Sequence, residues 1–528
     1  MFWADTIVED FIQERKKTID TKESVVIRDE KTPSGRVHVG SMRGVAVHGA
    51  LSRVLSEKGV KNTYLYEIND FDAFDAIPDY LDAKKYTPFL GKPLYIIPAP
   101  EGDESYAQYF GNEFARIIEA SGFTPEFYYS SEVYKAGRYN EAIITALEKA
   151  SLIRKIYKET SGAVKTEDWF PLMVVCEKCS GVAVTRVTSF EGGGEDITVQ
   201  YICDQEASGA VGCGHEGKIS PFNGNAKLPW KVEWGAKFKI FEVDLEGEGK
   251  DHATKGGARD VANRISQEVF GYVPPFDVPY EFLLIGDRKM SSSKGTGASA
   301  RDVASLVPPQ IFQLALLGKN IKRAINFDPE GDTIPILYDQ YDALAEKYAT
   351  GVADDETRLF ELIHTQGDIP SRFLPRFSQV VFLVQMPHID IEEEVIRIKG
   401  SSLTNEDKKE LSERVTYARQ WIERCAPERY VFELQTGSVP LGCKGYSDIQ
   451  KSALGRVLEA IKKMKKLDGQ ELHTTLHEIR KEMEIEPKEF FSALYIAFLG
   501  KESGPKIGWF LSVLDRDFLE TRLEEVSI

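Results

Sequence analysis

The sequence predicts an α/β protein: a doubly wound parallel sheet, interrupted by a small β insertion and followed by an all-α C-terminal domain. Three observations carry this expectation. Near the start, a short apolar strand, a glycine-bearing loop, an apolar-periodic helix and a second strand follow one another, which is how a doubly wound sheet begins. From Val164 to Asn225 the texture changes to Gly, Cys, Thr and short β runs such as "VAVTRVTSF" and "DITVQYI". After about residue 300 almost every segment has helical periodicity.

The elements follow in order. "MFWADTIVEDFIQERKK" reads as an amphipathic helix without the apolar region and cleavage site of a signal peptide, so a cytoplasmic protein is expected. "SVVIRD" (24–29) is a buried strand running into the loop "EKTPSGRVHVGSMRG", with a helix to about Ser56. "TYLYEI" (63–68) is the next strand and ends in the acidic, aromatic "NDFDAFD". Helical stretches follow at about 104–121 and 137–158, then the insertion. "GARDVANRISQEVFG" is helical and "PYEFLLI" is a buried strand. Five helical segments stand out beyond: "QIFQLALL", "LYDQYDALAEKYA", "TYARQWIERCA", "IQKSALGRVLEAIKKMKK" and "FFSALYIAFLGK".

Bulk composition narrows the function classes. At 528 residues the chain exceeds one core, and about three domains are expected. Hydrophobic content of 42% with 28% charged residues belongs to a folded globular protein, and no apolar run is long enough for a membrane span. The net charge of −17 does not exclude nucleic acid, because local patches such as "IKKMKK" (461–466) and "RKK" (15–17) decide binding. Each of those patches taken alone reads as a solvated helix face. Six cysteines in such a chain point to metal or chemistry rather than disulfides.

Two loops carry phosphate chemistry. In "TPSGRVHVGS" (32–41), Gly40 opens the backbone where a helix begins, Ser41 is placed to cap that helix, and His38 is a donor for a phosphate oxygen. Alone, this loop reads as a capped helix after a turn with His38 packed. The second loop, "KMSSSKG" (289–295), has too little apolar surface to bury itself, and its lysines and hydroxyls suit a polyanion. Read together, the loops flank a triphosphate from two sides, with Mg²⁺ accompanying ATP.

Here the sequence resembles the class I aminoacyl-tRNA synthetases, whose signatures are HIGH and KMSKS. "HVGS" matches the first at His38 and Gly40, with Ser41 in the final position; "KMSSS" matches the second, with Ser292 replacing the inner lysine and Lys294 just beyond. These departures are similar to the class I lysyl-tRNA synthetases. So are "DFDAFD", "SEVYKAGRYNEAI", "KLPWKVEWGAKF", "GKDHATKGG", "YEF", "QVVFLVQMPH", "GKESGP" and "FLSVLDR", in the same order over nearly the whole chain. The resemblance implies a Rossmann-type catalytic domain in two halves (1–129 and 226–298) around a connective insertion (130–225). It further implies a helical junction (299–345) and an α-helical anticodon-binding domain (346–528). It implies attachment of L-lysine to tRNA(Lys) through a lysyl-adenylate, by a cytoplasmic enzyme that is expected to be a monomer. His38, Gly40, Ser41, Lys289, Ser291 and Ser293 would be catalytic; Pro33, Gly35, His38, Lys289, Met290 and Lys294 would hold ATP; Thr32, Trp230, His252 and Tyr280 would contact lysine.

The lysine pocket needs an aromatic wall for the stem and an anionic end for the ammonium. Trp230 and Tyr280 supply the wall, although Trp230 and Trp234 also read as core aromatics; Glu281, Asp251 and Asp70 are the candidates for the end. Glu30 stands where the family usually has glycine, and would either reach the substrate or point to solvent. "CEKC" (176–179) with Cys203 and Cys213 offers four thiolates for structural Zn²⁺ in a zinc-ribbon-like insertion. The wide spacing of the second pair leaves His215 as an alternative ligand. Cys425 reads as a core residue and Cys443 has no role. Tyr417, Arg419, Trp421 and Arg424 share a helix that could read anticodon bases, or simply pack. Two other readings compete: a glutamyl- or glutaminyl-type enzyme, which would need an arginine in its pocket, and a zinc-ribbon RNA-binding protein without catalysis, which would not need intact nucleotide loops.

Overall fold

The structure, a computed structural model, describes residues 1–102, 104–286, 298–364, 369, 371–386 and 389–528. The chain forms two compact units, one of Met1–Phe327 with Leu344–Gly367 and the other of Asp328–Ala343 with Asp368–Ile528.

The first unit is built on five parallel strands: β1 (Val25–Lys31), β2 (Asn62–Ile68), β3 (Glu126–Tyr129), β4 (Val243–Glu246) and β5 (Phe276–Asp277). Their order is β5-β4-β1-β2-β3. The winding direction therefore reverses between β1 and β4, and in such sheets the crevice beyond the carboxyl ends at that point receives ligand. β1 is paired along its whole length, from Val25 opposite Asn62 to Lys31 opposite Ile68. Its Val-Val-Ile start suits a strand covered on both faces. β4 is buried at all four residues although two are acids. Asp244 is satisfied by Lys22 at 2.9 Å and by the Val26 amide at 2.8 Å. The helix Met42–Glu57 packs on β1 and β2, and the helix Trp230–Ile240 packs on β4.

Two expectations about elements are corrected. "PYEFLLI" does not join the main sheet: Leu283–Ile285 pairs in parallel with Ile325–Phe327 as a separate ribbon, and Tyr280 makes a lone bridge to Gly249. The stretch 137–158 is two helices, Asn140–Glu148 and Ala150–Ser161, because Lys149 leaves the helical region (φ −100°, ψ 20°). The insertion is a three-stranded antiparallel sheet (Arg186–Glu191, Thr198–Ile202, Glu216–Ile219) plus the hairpin Glu206–Ala207 and Ala210–Val211. Val187, Val199 and Tyr201 share one core with Ile143, Leu147, Ile153 and Ile156.

The second unit is helical, from the first part of Thr333–Ala349 to Arg516–Ser527. Tyr338 stacks on Phe377 at 3.9 Å, and Trp421, Leu454, Leu494 and Phe510 are fully buried. Trp421 is therefore a core residue and not a base reader, with its indole N–H donated to the Pro329 carbonyl at 2.9 Å; Arg419 and Arg424 of the same helix are exposed. No helix among the described residues is long and apolar enough to cross a membrane.

Candidate active site and cysteine cluster

A cavity of about 360 Å³ opens beyond the carboxyl ends of β1 and β4, at the reversal point. It gathers Thr32, His38, Gly40, Ser41, Trp230, His252 and Tyr280, residues drawn from four separated stretches of sequence. Pro33 and Gly35 do not line it; Pro33 is buried behind the loop with Val37 and Phe114. Lys289, Met290, Ser291, Ser293 and Lys294 lie outside the described residues. The chain just beyond them returns to the His38 loop: the Val39 amide donates to the Ala298 carbonyl at 3.1 Å, and Ala300 to Val37 at 2.9 Å.

Ser41 does not cap the helix. It is itself helical (φ −66°, ψ −22°), closes a short 3-10 turn with Val39 and Gly40, and its side chain makes no cap bond. On the opposite side of the cavity, Trp230 stacks on Trp234 at 5.9 Å, and His252 lies 5.7 Å and 5.9 Å from the two rings. Trp234 is core, its indole N–H donated to Glu246 Oε1 at 2.5 Å. Trp230 is 44% exposed and free to cover a ligand. Tyr280 closes the third side, and its hydroxyl requires glycine at position 44, where a Cβ would stand 2.5 Å from it. His48 ties that wall to β4, its Nδ1 bonding the Gly44 carbonyl at 2.8 Å while Nε2 accepts the Gly247 amide at 2.8 Å.

Beneath the cavity lies a buried ionic network. Arg28 binds Glu246 at 2.9 Å, Glu67 at 2.6 Å, and Glu30. Lys237 binds Glu30 at 2.8 Å and Glu67 at 2.7 Å. Glu30 lines the cavity rather than pointing freely to solvent; burial pushes its pKa up, but Lys237 and Arg28 outweigh burial and hold it well below the usual carboxylate range. Thr32 donates to Asp72 Oδ2 at 2.6 Å, and Asp72 Oδ1 receives Lys227 at 2.5 Å.

Of the acids considered from sequence, Asp70 is bound by Ser130 and Ser131 away from the cavity. Glu281 pairs with Lys250 at 2.6 Å, and Asp251 stands exposed at the rim. Sequence reasoning missed Asp29, Glu246 and Glu248, buried carboxylates that also line the cavity. The signal for Glu246 and Glu248 was "DLEGEG" (244–249), acids alternating with glycines at a strand end.

In the insertion, the Cys176, Cys179, Cys203 and Cys213 sulfurs all lie within 4.8 Å of one another. Cys176 is 3.8 Å from Cys213, and Cys179 is 3.6 Å from Cys203. A tetrahedron of thiolates about 2.3 Å from a central ion has edges of about 3.8 Å, so the set fits zinc. The nine residues between Cys203 and Cys213 are spent on the small hairpin, which brings the chain back. Gly212 is required there, since a Cβ would meet the Cys203 carbonyl at 2.3 Å. His215 is not among the four; its ring lies 6.0 Å from Tyr201 and its carbonyl accepts the Cys203 amide.

Comparison with known proteins agrees with this architecture. The family described as tRNA synthetases class I (K) matches residues 1–366, and an anticodon binding domain matches residues 438–527. The lysine–tRNA ligase 1 of Methanosarcina acetivorans is 33% identical, covering 100% of this chain and 98% of its own. The lysine–tRNA ligase of Methanosarcina barkeri is 33% identical over 99% and 97%, and that of Thermoplasma volcanium 30% over 100% and 99%. With the parallel sheet, the cavity at its reversal point and matches over its whole length, the chain belongs to the class I tRNA synthetases of the (K) family.

Proposed function

We propose that this protein attaches L-lysine to tRNA(Lys) at the expense of ATP, through a lysyl-adenylate. The observation that carries the reading is the cavity: stacked aromatics for an aliphatic stem, buried carboxylates for an ammonium, and the His38–Ser41 loop for phosphates, all at one sheet reversal. The names of its relatives support the same substrate. The lysine carboxylate attacks the α-phosphorus of ATP in line and pyrophosphate leaves; the 2′-hydroxyl of the terminal adenosine then attacks the lysyl-adenylate carbonyl and takes the lysyl group as AMP leaves. No protein nucleophile is needed, because positioning and charge neutralisation lower the barrier. His38 donates to phosphate, Gly40 leaves the backbone open to it, and Lys289 and Lys294 add positive charge, with Mg²⁺ entering as part of the ATP complex. The four cysteines would hold a structural Zn²⁺ that fixes the insertion. Residues 346–528 would read the anticodon, and the cytoplasmic, monomeric state belongs to the same reading.

The test is charging of total tRNA with lysine, glutamate, glutamine or arginine in the presence of ATP and Mg²⁺. Lysine alone should be attached. Attachment of a different amino acid would remove the substrate assignment and leave the fold; attachment of none by folded protein would favour an RNA-binding protein without catalysis.

A further inference from the structure

The cavity places one carboxylate differently from the rest. Glu30 and Glu246 are held by Arg28, with Lys237 and Trp234 as further partners. Asp29 accepts the Glu30 amide and lies 3.4 Å from His48. Asp251 is exposed, so water screens it. Glu248 is only 4% exposed, and among the described residues no N–H group donates to either of its oxygens, its hydrogen-bonding neighbour being another carboxyl, Asp277. The nearest cation, Arg259, stands 3.4 Å away and is shared with Glu246 at 3.6 Å and Asp277 at 3.8 Å. A buried carboxylate without an N–H donor is costly, and a ligand cation would remove that cost.

Its position selects the cation. Side chains alternate along an extended segment, so Glu246 and Glu248 share one face and Gly247 takes the other. A Cβ at Gly247 would meet the Val278 carbonyl at 2.5 Å and His48 at 3.4 Å, so that face belongs to Val278 and to the helix Met42–Glu57 that follows the His38 loop. Glu248 shares Arg259 with Trp234, whose ring lies 5.6 Å from that guanidinium. It is thus on the aromatic side of the cavity, away from the phosphate loop where the reacting carboxylate must lie.

Resting on the lysine reading above, we infer that Glu248 is the specificity-determining residue that receives the ε-ammonium of the substrate, with the Trp230–Trp234–His252 cluster covering the stem. Burial, against the pull of Arg259 and with the push of Asp277, holds the free carboxyl up at about 9, so it keeps its proton until an ammonium arrives and then releases it to solvent.

Full-length protein is assayed for tRNA charging, with lysine and L-norleucine, which has no ε-ammonium, as ligands in calorimetry. The native protein should bind lysine and ignore norleucine. Glu248→Gln, near-isosteric and expected to melt no earlier than native protein, should raise the lysine KM about 100-fold with kcat and the ATP KM little changed. It should also bring norleucine and lysine to similar affinity, and Glu248→Asp should recover much of the loss. A lysine KM within about threefold of native in Glu248→Gln, or equal damage from Gln and Asp, would overturn the inference. If native protein fails to charge lysine at all, the substrate reading falls instead, so the two failures are distinct.

Discussion

Asp72 acts on two sides of the cavity at once. It fixes Thr32 at the end of β1 and Lys227 three residues before Trp230. Lys227 is 1% exposed; burial lowers its pKa, but Asp72 and then Glu233 outweigh burial and keep it charged. Asp72→Ala would leave that ammonium with only Glu233, 3.4 Å away. Breaking a buried pair costs about 3 kcal/mol, which urea denaturation would read directly, and the lysine KM should rise together with the lost stability. An unchanged denaturation midpoint would show that Lys227 finds another partner. Glu248 makes a prediction of opposite sign. With Arg259, Asp277, Glu246 and Tyr280 around it, its folded pKa of about 9 lies above the unfolded carboxyl value. The stability it contributes is therefore full below about pH 4.5 and falls as pH rises towards 9. Glu248→Gln should match the native Tm at pH 5 and exceed it by roughly a few degrees at pH 9. A constant difference across that range would mean the group does not titrate there.

At the scale of elements, the sequence was legible where a strand is long and apolar and opaque where it is short and charged. β1 and β2 stood out because Val25–Ile27 and Tyr64–Ile68 can only be buried. β4, with Asp244 and Glu246 in four residues, was missed because its burial depends on Lys22, Arg28 and Arg259, partners up to 222 positions away. The same reason hid Glu248: its environment is assembled by elements that no local pattern links. The four cysteines were legible as a set, although the hairpin that closes their wide spacing was not. That set gives an element-scale prediction. Purified protein should carry about one zinc per chain by metal analysis, and Cys203→Ser or chelation should abolish binding. Because Val187, Val199 and Tyr201 share a core with the helices Asn140–Glu148 and Ala150–Ser161, metal loss should lower the Tm well beyond a local change. A protein without zinc whose Tm ignores the chelator would leave the cysteines as ordinary thiols.

For the whole molecule, the chain's division into two units makes the stability of each a separate question. Each unit has its own buried core and its own ionic lock. In the first, Arg358 pairs with Asp5 at 3.0 Å and with Glu57. In the second, fully buried Arg414 binds Asp342, donates to Glu410 at 2.7 Å and to the Pro375 carbonyl at 2.8 Å, and packs 5.1 Å from the Tyr338 ring. Glu410 in turn pairs with Arg372, which reaches Tyr341 at 2.8 Å. Arg414→Ala removes the centre of this network, leaving Asp342 without its cation and Glu410 with Arg372 alone, a loss of about 3–5 kcal/mol. That is a large share of what a domain has to lose. Calorimetry should show one transition displaced downwards while another stays, and lysine binding should keep its native affinity. Charging of tRNA should fall steeply above the lowered transition. Equal loss of lysine binding at the same temperature would mean that the cavity depends energetically on the helical unit, and that the two units unfold as one.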